Sequence, residues 1–96
     1  MSEKLLYVAA ANFEAARSVG CLPDGHRSRG LHGHSFLGEV RAVLPDGWAP
    51  FPGGEVGELA ARLQRCVAPL DYKHLNTTLD LPTDENLARW IRQQLD

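Results

Sequence analysis

The chain has 96 residues, 44% of them hydrophobic, with ten Lys and Arg against twelve Asp and Glu for a formal charge of −2. A chain of this size forms one domain, and its apolar share excludes intrinsic disorder. Dispersed charge excludes the basic footprint of a nucleic-acid binder, and no apolar run approaches the roughly 20 residues that cross a bilayer.

The N-terminus, MSEKLLYVAAANFEAA, breaks its apolar stretch with acidic and polar residues, which argues against a secretory signal. Cys21 and Cys66 share no CxxC spacing, so a reduced, cytoplasmic setting is expected. Residues 5 to about 16 read as extended. Phe13, Ala15 and Arg17 then share one face of the strand, and Asn12, Glu14 and Ala16 the other. A loop follows over residues 18–30, punctuated by Gly20, Pro23, Gly25 and Gly30. It is longer than an ordinary hairpin connection, and loops of that length are more often functional than idle.

Residues 31–44 give the clearest strand. His32, His34, Phe36, Gly38, Val40, Ala42 and Leu44 fall on one face, and Ser35, Glu39 and Arg41 on the other. The histidines thus extend an apolar row, where a neutral imidazole and a bound metal are both favoured. Two imidazoles on one strand face are half of a metal site. What the chain offers upstream to complete it is Arg17, and a guanidinium cannot lose its proton to become a ligand.

PDGWAPFPGG (45–54) is turn and loop by its proline and glycine content. From Glu55, residues Val56, Leu59, Ala60, Leu63 and Val67 recur at helical spacing until Pro69 ends the run. A second helix begins near LPTDEN. Thr83 is its N-cap, Asp84 and Glu85 put negative charge in its first turn, and Leu87, Ala88, Ile91 and Leu95 form its stripe with Trp90 at the border. Strand, strand, helix, helix is an α+β order, with helices covering one face of an antiparallel sheet. Two strands leave unpaired edges that must be covered or shared, so a homo-oligomer is expected.

Each motif also has a plain structural reading. His32 and His34 can simply end a strand, and residues 83–85 are accounted for as a helix N-terminus. Cys21 and Cys66 read as inert, Trp48 and Trp90 as packing residues. Gly53 and Gly54 lack the lysine of a phosphate loop.

Taken together, FEAA before Arg17, PDGH, LHGHSF, DGW, LDYKHLN and PTDENLARWI resemble the 6-pyruvoyl- and 6-carboxy-tetrahydropterin synthase family, from about Phe13 to Ile91. The resemblance implies a T-fold that assembles as a trimeric barrel, usually a hexamer. It also implies sites between subunits that bind a reduced pterin triphosphate, zinc on three histidines, and proton transfer by a Cys, an Asp and a His in a lyase reaction. His32 and His34 match the paired zinc histidines, but Arg17 stands at the third. Ser28 or its neighbour stands at the catalytic cysteine, Asp71 and Asn76 match the LDHxxLN pattern, and Tyr72 replaces its histidine. Thr83 and Glu85 match the segment that approaches the pterin. The family domain continues into two further strands, one with a pterin-anchoring glutamate, whereas this sequence ends at Asp96; either the domain is short or the sequence is incomplete.

The expected function is therefore a divergent member that binds a pterin-like ligand, with the zinc site and relay lost and Arg17 donating to His32 or His34. One alternative is a zinc lyase that recruits Cys21 or His26 as third ligand. Another is an assembly subunit with no ligand. His74 substitutes in the relay only if the backbone turns it inward.

Overall fold

A computed structural model describes residues 4–95; residues 1–3 and 96 lie outside it, and with them the ends on which the leader and chain-length expectations rest. Two strands, β1 (Tyr7–Arg17) and β2 (His32–Ala42), form a long antiparallel hairpin with Tyr7 opposite Ala42 and Arg17 opposite His32. The alternation read from the sequence sets its faces. Ala9, Ala11, Phe13 and Ala15 of β1 are buried, and the even residues of β2 from Phe36 onward are half-buried beside them.

Helix α1 (Glu55–Val67) packs on β1, turning Leu59, Leu63 and Val67 into the core. The alanines of β1 suit this contact, because small side chains let a helix approach a sheet closely. Helix α2 (Asp84–Leu95) lies beside α1 and buries Leu87, with Trp90, Ile91 and Leu95 partly buried against the same cluster. Thr83 caps α2 as its sequence suggests, its Oγ1 accepting from Asn86 N–H at 3.2 Å. Val56 and Ala88, which helical spacing assigns to the apolar stripes, are exposed. Val56 sits in the first turn of its helix, ahead of the point where α1 meets the sheet.

The architecture is α+β, but the sheet is mixed, which corrects the purely antiparallel expectation. A two-residue strand, β3 (Lys73–His74), runs parallel to β1 opposite Ala15 and Ala16, in the order β2-β1-β3. Its position is fixed by side chains on both sides of it. Asp71 Oδ1 accepts from Glu14 N–H at 2.9 Å, while Asn76 accepts from Ser18 N–H and donates to Ser18 C=O. Glu14 therefore turns its N–H and C=O away from β2, toward Asp71 and Tyr72 N–H. Main-chain groups alternate in direction along a strand, so the odd residues of β1 bond β2, and Arg17 with His32 is a hydrogen-bonded pair.

Among the described residues no helix is long and apolar enough to cross a membrane.

Candidate functional site

Cross-strand partners share a sheet face, so the register brings Arg17, His32 and His34 to one face at the open end of the hairpin. Phe36 organises this corner. Its ring stacks on Phe13 at 4.9 Å, meets the His34 ring edge-on at 4.9 Å, and lies 4.8 Å from the Arg17 guanidinium carbon. The cation is thus held against an aromatic face.

The guanidinium is otherwise committed to α2. Arg17 Nη1 donates to Pro82 C=O at 2.9 Å and pairs with Asp84 Oδ1 at 2.7 Å. The Arg17 side chain is 11% exposed and that of Asp84 76%. The expected bond from Arg17 to His32 or His34 is absent among the described residues. The reason is geometric: stacking on Phe36 aims the fork past the strand, at the start of α2. Arg17 Nε is buried and has no partner among the described residues.

His32 Nδ1 lies 2.8 Å from Gly30 C=O, which fits a ring that donates there and leaves Nε2 bare. His34 is exposed. The other candidate ligands are occupied differently. His26 Nδ1 accepts from Ser28 N–H at 3.1 Å, and Cys21 is an exposed free thiol. Among the described residues no three His, Cys, Asp or Glu side chains group as a metal site. The donors present are two imidazoles beside a fixed cation, and this set does not fit a structural or catalytic zinc, which takes at least three protein ligands.

Of the remaining family positions, Ser28 lies in a short 3-10 turn (Arg27–Arg29) of the long loop. Asp71 is spent on the edge of β1. Tyr72 has φ of 57°, the left-handed region that a bulky side chain enters at a cost of about 1–3 kcal/mol. His74 on β3 is exposed, as is Glu85 in the first turn of α2. Sequence reasoning missed two participants, Phe36 as the hub and Asp84 as the partner of Arg17. The signal for Phe36 was its place two residues beyond His34 on the same strand face. A groove of about 960 Å³ continues from this corner between β2 and α2, with His34, Phe36 and Asp84 at one end and Leu95 at the other.

The Asn76 clamp yields a direct expectation. In Asn76→Ala the Ser18 N–H and C=O lose their partners, and stability measured by urea unfolding should fall by about 1–3 kcal/mol. Cys66, on α1, carries another. Burial pushes its thiol up, against an opposing pull from Arg65. The fold therefore favours the neutral thiol, and its contribution is lost as pH rises above the ordinary cysteine value. In a Cys21→Ser background, alkylation of Cys66 should rise at higher pH in the native chain than in the same chain unfolded in urea.

A long hairpin backed by two helices, with an HGH strand end gathered against the start of the second helix, defines a T-fold-like α+β protein. The family model for 6-pyruvoyl tetrahydropterin synthase matches residues 7–96, and the chain belongs to that family. It is 30% identical over 97 residues to the dihydroneopterin monophosphate aldolase of Pyrococcus furiosus, an alignment covering 99% of this chain and 76% of that protein. It is 29% identical over 99 residues to a protein of Archaeoglobus fulgidus provisionally named 6-carboxy-5,6,7,8-tetrahydropterin synthase, covering 99% of this chain and 79% of that one.

Proposed function

We propose that this chain is a divergent tetrahydropterin synthase homologue that binds a pterin-type ligand and works without the family's zinc site and proton relay. The observation that carries the reading is the locked guanidinium of Arg17, opposite His32 and tied to Pro82 and Asp84. A permanent cation adjoining two imidazoles removes one ligand and repels a divalent ion.

The relay positions support the same reading. Ser28 is a far weaker acid than a cysteine, the Asp71 carboxylate is engaged by backbone, and Tyr72 brings a phenol in place of an imidazole. Ligand affinity rests on family membership and on the names of both relatives, which act on or make pterins. Arg17 and Glu85 supply a cation and an exposed carboxylate near the start of α2. Thr83 holds that turn in place as its cap. Self-association belongs to the proposal, since the outer edge of β2 is unpaired among the described residues.

One observation favours a second reading, a zinc lyase acting on a dihydroneopterin triphosphate-like substrate with Cys21 or His26 recruited as third ligand. The His32 Nδ1 contact with Gly30 C=O is the outer-shell arrangement that orients metal-bound histidines. The ligand arm of the proposal is tested by thermal unfolding with increasing 7,8-dihydroneopterin. The melting temperature should climb with the logarithm of ligand concentration, and less so in Arg17→Met. A melting temperature indifferent to dihydroneopterin would favour a subunit that only assembles.

A further inference from the structure

A guanidinium donates along two edges: the end formed by its two Nη groups, and the side formed by Nε–H with the Nη2 N–H parallel to it. In Arg17 both bonds to α2 leave from Nη1, at 2.9 Å to Pro82 C=O and 2.7 Å to Asp84 Oδ1. The side edge is unused. Nε is buried without a partner, and Nη2 makes no hydrogen bond among the described residues but is not closed off as Nε is.

A buried donor without an acceptor is destabilising, and Nε is the sole buried side-chain atom left in that state among the described residues. It cannot be relieved by turning the group. The guanidinium lies on the Phe36 face with its carbon 4.8 Å from the ring centre, and rotation would surrender both bonds of Nη1. Neither imidazole accepts from it, and His32 Nδ1 is already engaged by Gly30 C=O at 2.8 Å. The corner thus holds a planar cation rigidly and leaves two parallel N–H groups without an acceptor.

Two such donors match the paired oxygens of a carboxylate or a phosphoryl group. Nη2 is the point of entry, with Nε behind it. Of the groups gathered on Phe36, the exposed His34 ring has no hydrogen bond among the described residues, so it turns aside at little cost. Asp84 offsets part of the positive charge, but it does so from the Nη1 side and is 76% exposed, hence hydrated.

We propose that the corner where the family holds a cation is, in this chain, a binding site for an oxoanion, held two-pronged by Nε and Nη2 of Arg17. The inference rests on the metal-free reading above and not on any particular ring in the ligand.

The test titrates the wild-type protein with sodium phosphate and with sodium acetate, against sodium chloride at matched ionic strength, with the zinc content of the sample measured. The arginine Nε–H signal that disappears in Arg17→Lys is followed in a nitrogen–proton correlation spectrum, together with the backbone N–H signals of residues 32–36. Phosphate, acetate or both should move the Nε–H signal saturably while chloride does not. A response to phosphate alone assigns a phosphoryl ester as the natural group, and a response to acetate alone a carboxylate. Arg17→Lys keeps the charge but not the fork, so its backbone signals should report binding at least roughly tenfold weaker. Urea unfolding shows whether that variant is folded; if it is not, the wild-type titration decides. No saturable movement with either anion, equal movement with chloride, or a folded Arg17→Lys that binds as tightly as wild type overturns the inference. When that failure comes with no bound zinc, the metal-free reading survives it; one zinc per chain sinks both.

Discussion

Arg17→His should convert this chain into a zinc-binding protein. The substitution places an imidazole in a hydrogen-bonded cross-strand pair with His32, where Cα atoms stand about 5.5 Å apart, and on the same face as His34. Three neutral imidazoles leave one position open, the arrangement of a catalytic zinc site. His32 is already oriented through Gly30 C=O. Without metal the variant should be less stable than wild type by about 1–3 kcal/mol, because Pro82 C=O loses its charged donor and Asp84 its partner. With zinc at about a hundred times its Kd the loss should be recovered, a gain of about 2.7 kcal/mol. Unfolding followed with and without zinc checks both halves, and an Arg17→Met control should show the loss without the recovery.

Leu63→Ala carries the largest expected effect on stability. Leu63 is fully buried with Val67, Leu70 and Leu75 where α1 meets β1 and the segment that leads into β3. Truncation leaves a cavity that this close-packed interface fills only in part, at about 2–5 kcal/mol. A domain of this size has roughly 5–15 kcal/mol in all, so the variant should sit near the edge of folding. In urea the midpoint should drop while the slope is preserved, and a changed slope would mean that the native state itself has loosened. A comparable change at Val56, which is 52% exposed, should leave the midpoint nearly unmoved.

The contrast between those two helix positions shows what the sequence made legible. Period-two alternation located β2, while β1 was read as extended from its apolar content; the period then assigned the faces of both, because one face of the hairpin is buried. Helical spacing located α1 and α2, and Thr83 marked the start of the second through local chemistry alone. β3 escaped because two residues carry no periodicity. Its pairing is imposed by Asp71 and Asn76 reaching 57 and 58 residues back along the chain.

The candidate site was legible to the same depth. His32, His34 and Arg17 were assigned to a common corner from strand geometry and the family motif, and the register places them there. The partner of Arg17 was not legible. Asp84 is 67 residues away, and its charge was already explained as helix-terminal. Competition between an imidazole and the Phe36 face for the guanidinium is decided by packing, which no local pattern encodes. The backbone of Tyr72 was hidden for a similar reason. No propensity assigns a tyrosine a positive φ, and only the bonds on either side of it require one.

The central claim is that a fixed cation closes the corner where the family's metal would be held. Its most direct test is the zinc content of the wild-type protein, purified without chelators and then dialysed against excess zinc and desalted. The account predicts far less than one zinc per chain, with no change when His32 and His34 are replaced by alanine. One tightly held zinc per chain, lost on replacing either histidine, would contradict it.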